Sequence, residues 1–178
     1  MDKVELNALK NLKLFTILLL ITVILAFIPI ISVAAAFVGI VSFIMLILAF
    51  KSFSKIDKQF ATPYIFCLIY IVGFVLLIAS MLSILGFSIL SLGFSAALTL
   101  TSVALFAGEF GALILVSLIL MLLGAFIGVI LGLFRVGKRY KNSLVSTGAV
   151  LLIIPLVDIV GIILLLVGLL QITKNVSI

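Results

Sequence analysis

Two acidic side chains interrupt the long apolar stretches of this chain and are its best candidates for proton or ion chemistry. Glu109 is the one charged residue within 64–134, and Asp158 lies in the last apolar stretch. Acids inside a membrane often mark ion or proton pathways. Each also has a plainer interpretation, because Glu109 lies at a glycine-rich predicted turn and Asp158 at a predicted helix start, where a carboxylate is a good cap.

Hydroxyl side chains recur at intervals of three and four residues in the middle of the chain. On a helix they would share one face. One interpretation is a polar path for an ion or small solute, together with Glu109. The other is close packing, with each hydroxyl bonded to a carbonyl of its own helix. The residues are Ser88, Ser91, Ser95, Thr99 and Ser102.

The chain lacks most of the groups that catalysis and metal binding need. It has no histidine, and its single cysteine is Cys67. A histidine-based metal site, a Ser-His-Asp triad and an intrachain disulfide are therefore excluded. We expect no enzymatic activity, no cofactor and no bound metal.

Basic residues cluster in short segments beside the apolar stretches. The densest cluster is Arg135, Lys138, Arg139 and Lys141. Such clusters fix membrane topology and attract anionic lipid headgroups. The net charge of +6 therefore indicates membrane lipids, not nucleic acid, as the partner.

Composition decides which elements position these residues. Hydrophobic residues make up 67% of the chain and charged residues 9%, too few to coat a soluble domain. In lipid every backbone polar group must be paired internally, so only helices or closed barrels can span. Runs such as Leu14–Ile31 are apolar on every face, whereas barrel strands alternate. The sequence predicts an all-α, multi-pass protein of the cell membrane.

Charge distribution predicts about six transmembrane helices in three hairpins, within a single membrane domain. All 11 Lys and Arg residues fall in 1–13, 51–58, 135–141 and the C-terminal tail. An even number of crossings places these segments together on the cytoplasmic side, with both termini inside. The predicted spans are approximately 14–28, 33–50, 64–85, 112–134, 141–154 and 159–173.

Two stretches leave alternatives open. Residues 86–111 are apolar but rich in Gly and Ser, and they could be re-entrant, external or a further crossing. The even count favours a re-entrant or external segment. Residues 143–172 are broken by Pro155 and form either a hairpin or one kinked helix.

Glycines at every fourth residue predict a helix-packing face. Gly124, Gly128 and Gly132 lie in an apolar stretch, and small residues at this spacing let two helices approach closely. The partner helix could belong to this chain or to another subunit.

Three segments resemble an uncharacterised family of archaeal multi-pass membrane proteins, found mainly in thermoacidophiles and known only as a domain of unknown function. They are Gly132–Leu144, then Gly148 with Ile154–Gly161, and the loop Phe53–Phe60. The resemblance implies an archaeal cell membrane and supplies no catalytic residues.

Together these features predict a structural or accessory subunit of a larger membrane assembly, without catalytic activity of its own. Its expected partners are lipids and other membrane subunits or further copies of the chain. The alternative is a small transporter or channel for an ion or small polar solute, for which the hydroxyl side chains and Glu109 are the evidence.

Overall fold

The computed structural model describes residues 3–28, 31–91, 96–154 and 157–176, which are helical and contain no strand. The all-α prediction is confirmed for this part of the chain. A 3₁₀ turn at Lys58–Phe60 precedes α3, and a π-helical segment, Gly124–Ile130, connects α4 to α5. The helices are α1 (Lys3–Ala26), α2 (Ser32–Ile56), α3 (Ala61–Ser91), α4 (Ala96–Leu123), α5 (Leu131–Arg139), α6 (Ser143–Leu151) and α7 (Asp158–Val176).

Five helical stretches in the described ranges are long and apolar enough to cross a membrane. α6 is not among them, because its nine residues measure about 14 Å, less than half of a hydrocarbon core of ~30 Å. The predicted span 141–154 is thus represented by a short helix. The five stretches are Lys3–Ala26, Ala34–Ile56, Lys58–Ser83, Gly111–Arg139 and Asp158–Asn175.

The predicted segment 86–111 belongs largely to two long helices. α3 continues to Ser91 and α4 begins at Ala96, while residues 92–95 lie outside the described ranges. α3 has 31 residues and α4 has 28, about 46 Å and 42 Å of helix. Both exceed the ~30 Å core, and the position of this segment relative to a membrane stays a prediction.

The chain divides into two compact units. The first consists of Met1–Cys67 and Phe126–Ile178, and the second of Leu68–Ala125. In the first unit, large buried side chains from α1, α2, α5, α6 and α7 form one core. They include Leu9, Leu12, Leu46, Phe50, Phe53, Phe60, Leu133, Val136, Val145, Leu165 and Leu169. In the second unit, Gly73 of α3 lies against the backbone of Ser117 on α4.

The turn between α5 and α6 is defined by hydrogen bonds. Asn142 N donates to the Gly137 carbonyl at 2.9 Å, and Lys141 N donates to the Lys138 carbonyl at 3.2 Å. This pair of bonds is the Schellman motif, which satisfies carbonyls at a helix C-terminus. Asn142 then caps α6, since its side chain accepts the Val145 N–H. One helix therefore stops and the next starts within three residues.

α6 and α7 fold back on each other as a hairpin. A Cβ added to Gly148 would lie 2.7 Å from the Gly161 carbonyl oxygen, so the two backbones are in direct contact. At the other end of the pair, the Asn142 side chain donates to the Gly168 carbonyl at 3.2 Å and to the Gln171 amide oxygen at 3.3 Å. The stretch 143–172 thus reverses direction between α6 and α7.

Candidate functional site

Arg139, at the end of α5, connects three segments that are far apart in sequence. Its Nη2 lies 3.2 Å from Glu5 Oε1 at the start of α1, and its Nη1 lies 3.1 Å from Asp57 Oδ2 after α2. The side chains of Glu5 and Asp57 are 15% and 30% exposed. Charged hydrogen bonds at this degree of burial are only partly screened by water. We call Glu5, Asp57, Arg139 and Tyr140 the charged clasp.

Tyr140 completes the clasp through a neutral donor. Its hydroxyl donates to Glu5 Oε1 at 2.6 Å, so one carboxylate oxygen accepts from both Arg139 and Tyr140. Burial, followed by the nearby Glu5 carboxylate, raises the pKa of the Tyr140 phenol above its ordinary value. The phenol therefore stays protonated and remains a donor well into the alkaline range. The ring also packs edge-on against Phe53, with centroids 6.5 Å apart.

Asp57 is held from two directions. Besides Arg139, its carboxylate accepts the backbone N–H of Gln59 at 2.9 Å and so caps the 3₁₀ turn. The Gln59 carbonyl in turn accepts a hydrogen bond from Arg135, one turn before Arg139 on α5. Two arginines of the predicted basic cluster are thus used for contacts within the chain.

The clasp shows that the chain returns repeatedly to one end of the first unit. Glu5 lies at the start of α1, Asp57 lies between α2 and α3, and both contact Arg139 at the end of α5. The α1–α2 pair therefore starts and finishes at this end, and so does the stretch from α3 to α5. Asn142 and Gln171 are neighbours, so the α6–α7 hairpin also starts and finishes at one level. The basic segments 1–13, 51–58 and 135–141 all reach this end.

The two lysines of the basic cluster have different surroundings. Lys138 Nζ lies 4.8 Å from the centroid of the Phe134 ring, a cation–π contact. Lys141 has a φ of 51°, the left-handed conformation that usually requires glycine. Within the described ranges neither lysine forms an ion pair with a carboxylate.

Two clefts flank the end of α5. The first cleft, of about 280 Å³, contains two members of the clasp, Asp57 and Arg139; its lining residues are Asp57, Gln59, Phe60, Arg135, Lys138 and Arg139. The second cleft, of about 430 Å³, contains no acid and is lined by Phe134, Gly137, Lys138, Lys141, Asn142, Ser143, Ser146 and Thr147. Lys138 lines both clefts.

The structure places the predicted glycine face against two different helices. A Cβ on Gly128 would lie 2.8 Å from the backbone nitrogen of Cys67 on α3, and one on Gly132 would overlap the ring of Phe50 on α2. Gly124 is buried and begins the π-helical segment. Gly124 and Gly128 lie in the π-helical segment and Gly132 lies in α5.

The hydroxyl side chains that the sequence predicts on one helix face are divided between two helices. Ser88 and Ser91 lie on α3, whereas Thr99, Ser102 and Glu109 lie on α4. Ser95 is outside the described residues, as are the side chains of the other five. The polar path therefore stays a prediction.

The buried hydroxyls that the structure does describe bond to backbone carbonyls. Thr16, Ser80 and Ser117 each donate to the carbonyl four residues earlier, at 2.7–3.0 Å. Ser42 donates to the Phe15 carbonyl at 3.0 Å and so joins α2 to α1. These contacts belong to helix packing.

Asp158 is the first residue of α7, and its carboxylate accepts the N–H of Ile159 at 2.9 Å. A capping role needs no further partner. In the described part of the chain, no group of three His, Cys, Asp or Glu side chains is placed to hold a metal ion.

Sequence reasoning missed the clasp. Glu5 and Tyr140 were not singled out as interacting groups, although Tyr140 adjoins the basic cluster. The sequence signal was weak, because Glu5 is one of two acids among three lysines in residues 1–13. Contacts at Gly137, Gly148 and Gly168 were also missed, because these glycines are not evenly spaced.

Comparison with known proteins identifies a family. The model of a family described as "protein of unknown function (DUF973)" matches residues 5–178, so the chain belongs to that family. No curated protein and no solved structure matches the chain. The match agrees with the resemblance to an uncharacterised family and extends over nearly the whole chain, while an archaeal origin stays a prediction.

Proposed function

We propose that this member of the DUF973 family is an integral membrane protein, with both termini in the cytoplasm, that serves as a non-catalytic subunit of a larger membrane assembly. Its proposed partners are apolar transmembrane helices of other subunits, which pack on α4.

The membrane topology is supported by the clasp. Five of the described helical stretches are long and apolar enough to cross a bilayer, and the basic segments meet at one end of the first unit. Basic segments accumulate on the cytoplasmic side of membrane proteins. If that end is cytoplasmic, Asp158 lies at the opposite end of the α6–α7 hairpin. The charges then follow the positive-inside rule.

Two glycines of α4 carry the proposal of a partner. Gly in a helix interior costs roughly 0.5–1 kcal/mol relative to Ala, and membrane helices commonly use it to let another backbone approach. A Cβ on Gly108 or Gly111 would meet no atom within 4 Å. These glycines have no packing role within the described chain, and a helix from another subunit would give them one.

The surroundings of these glycines support the same assignment. On α4, Leu115, Leu118 and Leu122 are 59%, 53% and 69% exposed. Only 17% of the residues in the apolar part of 111–139 are buried, the same share as in 58–83, compared with 28% for α1 and 33% for α7. Lipid or a partner must cover this surface, and open glycines favour a partner.

The test is native mass spectrometry of the protein extracted gently from its host membrane. We expect stoichiometric association with unrelated subunits, and Gly111→Leu should abolish it because the added side chain would separate the two backbones. Ala112→Leu is the matched control, since exposed Ala112 lies about 100° around the same helix. A monomer, or a homo-oligomer without other subunits, would contradict the proposal.

The transporter alternative is weaker on the described residues. The buried hydroxyls there bond to backbone carbonyls and are not directed at a polar path. Flux of ions or small solutes through proteoliposomes, lost in Glu109→Gln, would favour the alternative over the subunit role.

A further inference from the structure

The arginines and the lysines of the basic cluster differ in their contacts, and the second cleft is lined by the two lysines alone among these cations. Arg139 is engaged by two carboxylates and Arg135 by a carbonyl, so both arginines are committed within the chain. Lys138 and Lys141 are exposed and have no carboxylate partner among the described residues. The cation–π contact of Lys138 leaves its charge in place. The basic cluster therefore divides into two structural arginines and two available lysines.

Lys141 occupies a position where the fold alone would favour glycine. It is the residue after the helix cap in the Schellman motif, and its φ is 51°. Glycine predominates at this position because a Cβ disfavours the left-handed conformation. A lysine here makes the turn less stable than a glycine would.

The remaining lining of the second cleft complements one kind of ligand. Ser143 and Thr147, whose exposed hydroxyls can donate hydrogen bonds, line the same cleft as Lys138 and Lys141, and the Phe134 ring offers an apolar surface. A volume of about 430 Å³ is within the range of small-molecule sites. Two cations, two hydroxyls and an aromatic ring fit a phosphate that carries an apolar body.

We propose that the second cleft binds the phosphate group of an anionic phospholipid, with Lys138 and Lys141 as its cationic contacts and Phe134 beside the glycerol and first acyl carbons. This inference rests on the proposed membrane location, because α5 ends at Arg139, where the apolar stretch 111–139 would emerge from the hydrocarbon core. It does not depend on partner subunits.

The experiment is native mass spectrometry of the full chain in detergent, titrated with phosphatidylglycerol or with zwitterionic phosphatidylcholine. We expect one phosphatidylglycerol molecule to bind in preference to phosphatidylcholine. The double variant Lys138→Gln/Lys141→Gln should weaken phosphatidylglycerol binding about tenfold to thirtyfold, since each lysine near an anionic headgroup contributes roughly a factor of five. Lipid adducts and partner subunits differ in mass. The lipid proposal can therefore fail while the subunit proposal stands, and the subunit proposal can fail while the lipid proposal stands.

A matched variant separates a defined site from diffuse attraction. Lys51→Gln/Lys55→Gln removes the same charge from exposed positions on α2 that line neither cleft. This control should retain the preference for phosphatidylglycerol. Equal loss in the two double variants would overturn the proposal, and so would equal binding of the two lipids by the unaltered chain.

Two further experiments test the effect of Lys141 on folding and whether the bound phosphate belongs to a lipid. Lys141→Gly should keep or raise the thermal stability while reducing phosphatidylglycerol binding about fivefold, because it relieves the left-handed position and removes a cation. Unchanged binding in this variant would refute the role of Lys141.

Inorganic phosphate at millimolar concentration should not displace the lipid, and displacement would assign the cleft to free phosphate instead.

Discussion

Glycine has opposite surroundings on α6 and on α4. In the first unit, Gly148 of α6 is pressed against the Gly161 carbonyl of α7, and a Cβ there would lie 2.7 Å from that oxygen. In the second unit, Gly108 and Gly111 of α4 face open space. The same residue type in equally apolar helices therefore has a packing role in one place and none within the chain in the other. The comparison separates contacts that hold the fold from surface that is available to a partner.

Enlarging Gly148 should give the largest effect. Gly148→Leu must force apart two backbones, and because backbone cannot move like a side chain, we expect a loss of more than about 3 kcal/mol or failure to fold. Helix content followed by circular dichroism during heating in detergent would measure it. Gly111→Leu is the control and should change stability by less than about 1 kcal/mol. Equal losses in the two variants would remove the distinction between the packed glycine of α6 and the open glycines of α4.

Removing the shared acceptor of the clasp should have a smaller effect. Glu5→Ala leaves the Tyr140 hydroxyl without its acceptor and Arg139 with Asp57 alone, and we expect a loss of about 1–2 kcal/mol after allowance for partial exposure. Glu5→Gln should lose less, since its amide oxygen can still accept. Thermal unfolding of the three proteins at low and high salt would test this order, and unchanged stability in Glu5→Ala would refute it.

The clasp should also impose a pH dependence. The pKa of Tyr140 is raised from 10.0 by burial and by Glu5, so the folded state keeps a proton that the unfolded chain releases. The stabilisation is fully present below pH 10 and is lost as the pH rises through the raised pKa. Unfolding midpoints between pH 8 and 12 should therefore fall less steeply in Tyr140→Phe than in the unaltered chain. Identical slopes would show that the phenol is not coupled to folding.

The smallest difference concerns two buried serines. Ser42 joins α2 to α1 through the Phe15 carbonyl, whereas Ser117 bonds to its own helix. Interhelical side-chain hydrogen bonds in membrane proteins average about 0.6 kcal/mol, so Ser42→Ala should cost about that amount. Ser117→Ala should cost less, because a bond within one helix does not hold two helices together. The reverse order would indicate that α3 and α4 depend on Ser117.

The glycine face illustrates where sequence reasoning reached its limit. A spacing of four residues predicted one helix face in close contact with a neighbouring helix. Gly128 meets α3, whereas Gly132 meets α2. The spacing of glycines along one helix contains no information about which helix lies against each of them, because that depends on tertiary packing. The prediction of close helix contacts was useful, but it could not name their partners.

The amino-acid sequence by itself determined the class of this protein. The chain has few charges and its apolar runs are apolar on every face, so in lipid its backbone polar groups must be paired within helices. This pairing joins residues close in sequence, and the sequence alone can therefore predict it. The tertiary structure decided which polar groups meet. Glu5 and Arg139 are 134 residues apart, and their contact depends on how several helices pack around one core. It also decided which glycines are covered and which lysines remain available, because these properties depend on neighbours that no local pattern specifies.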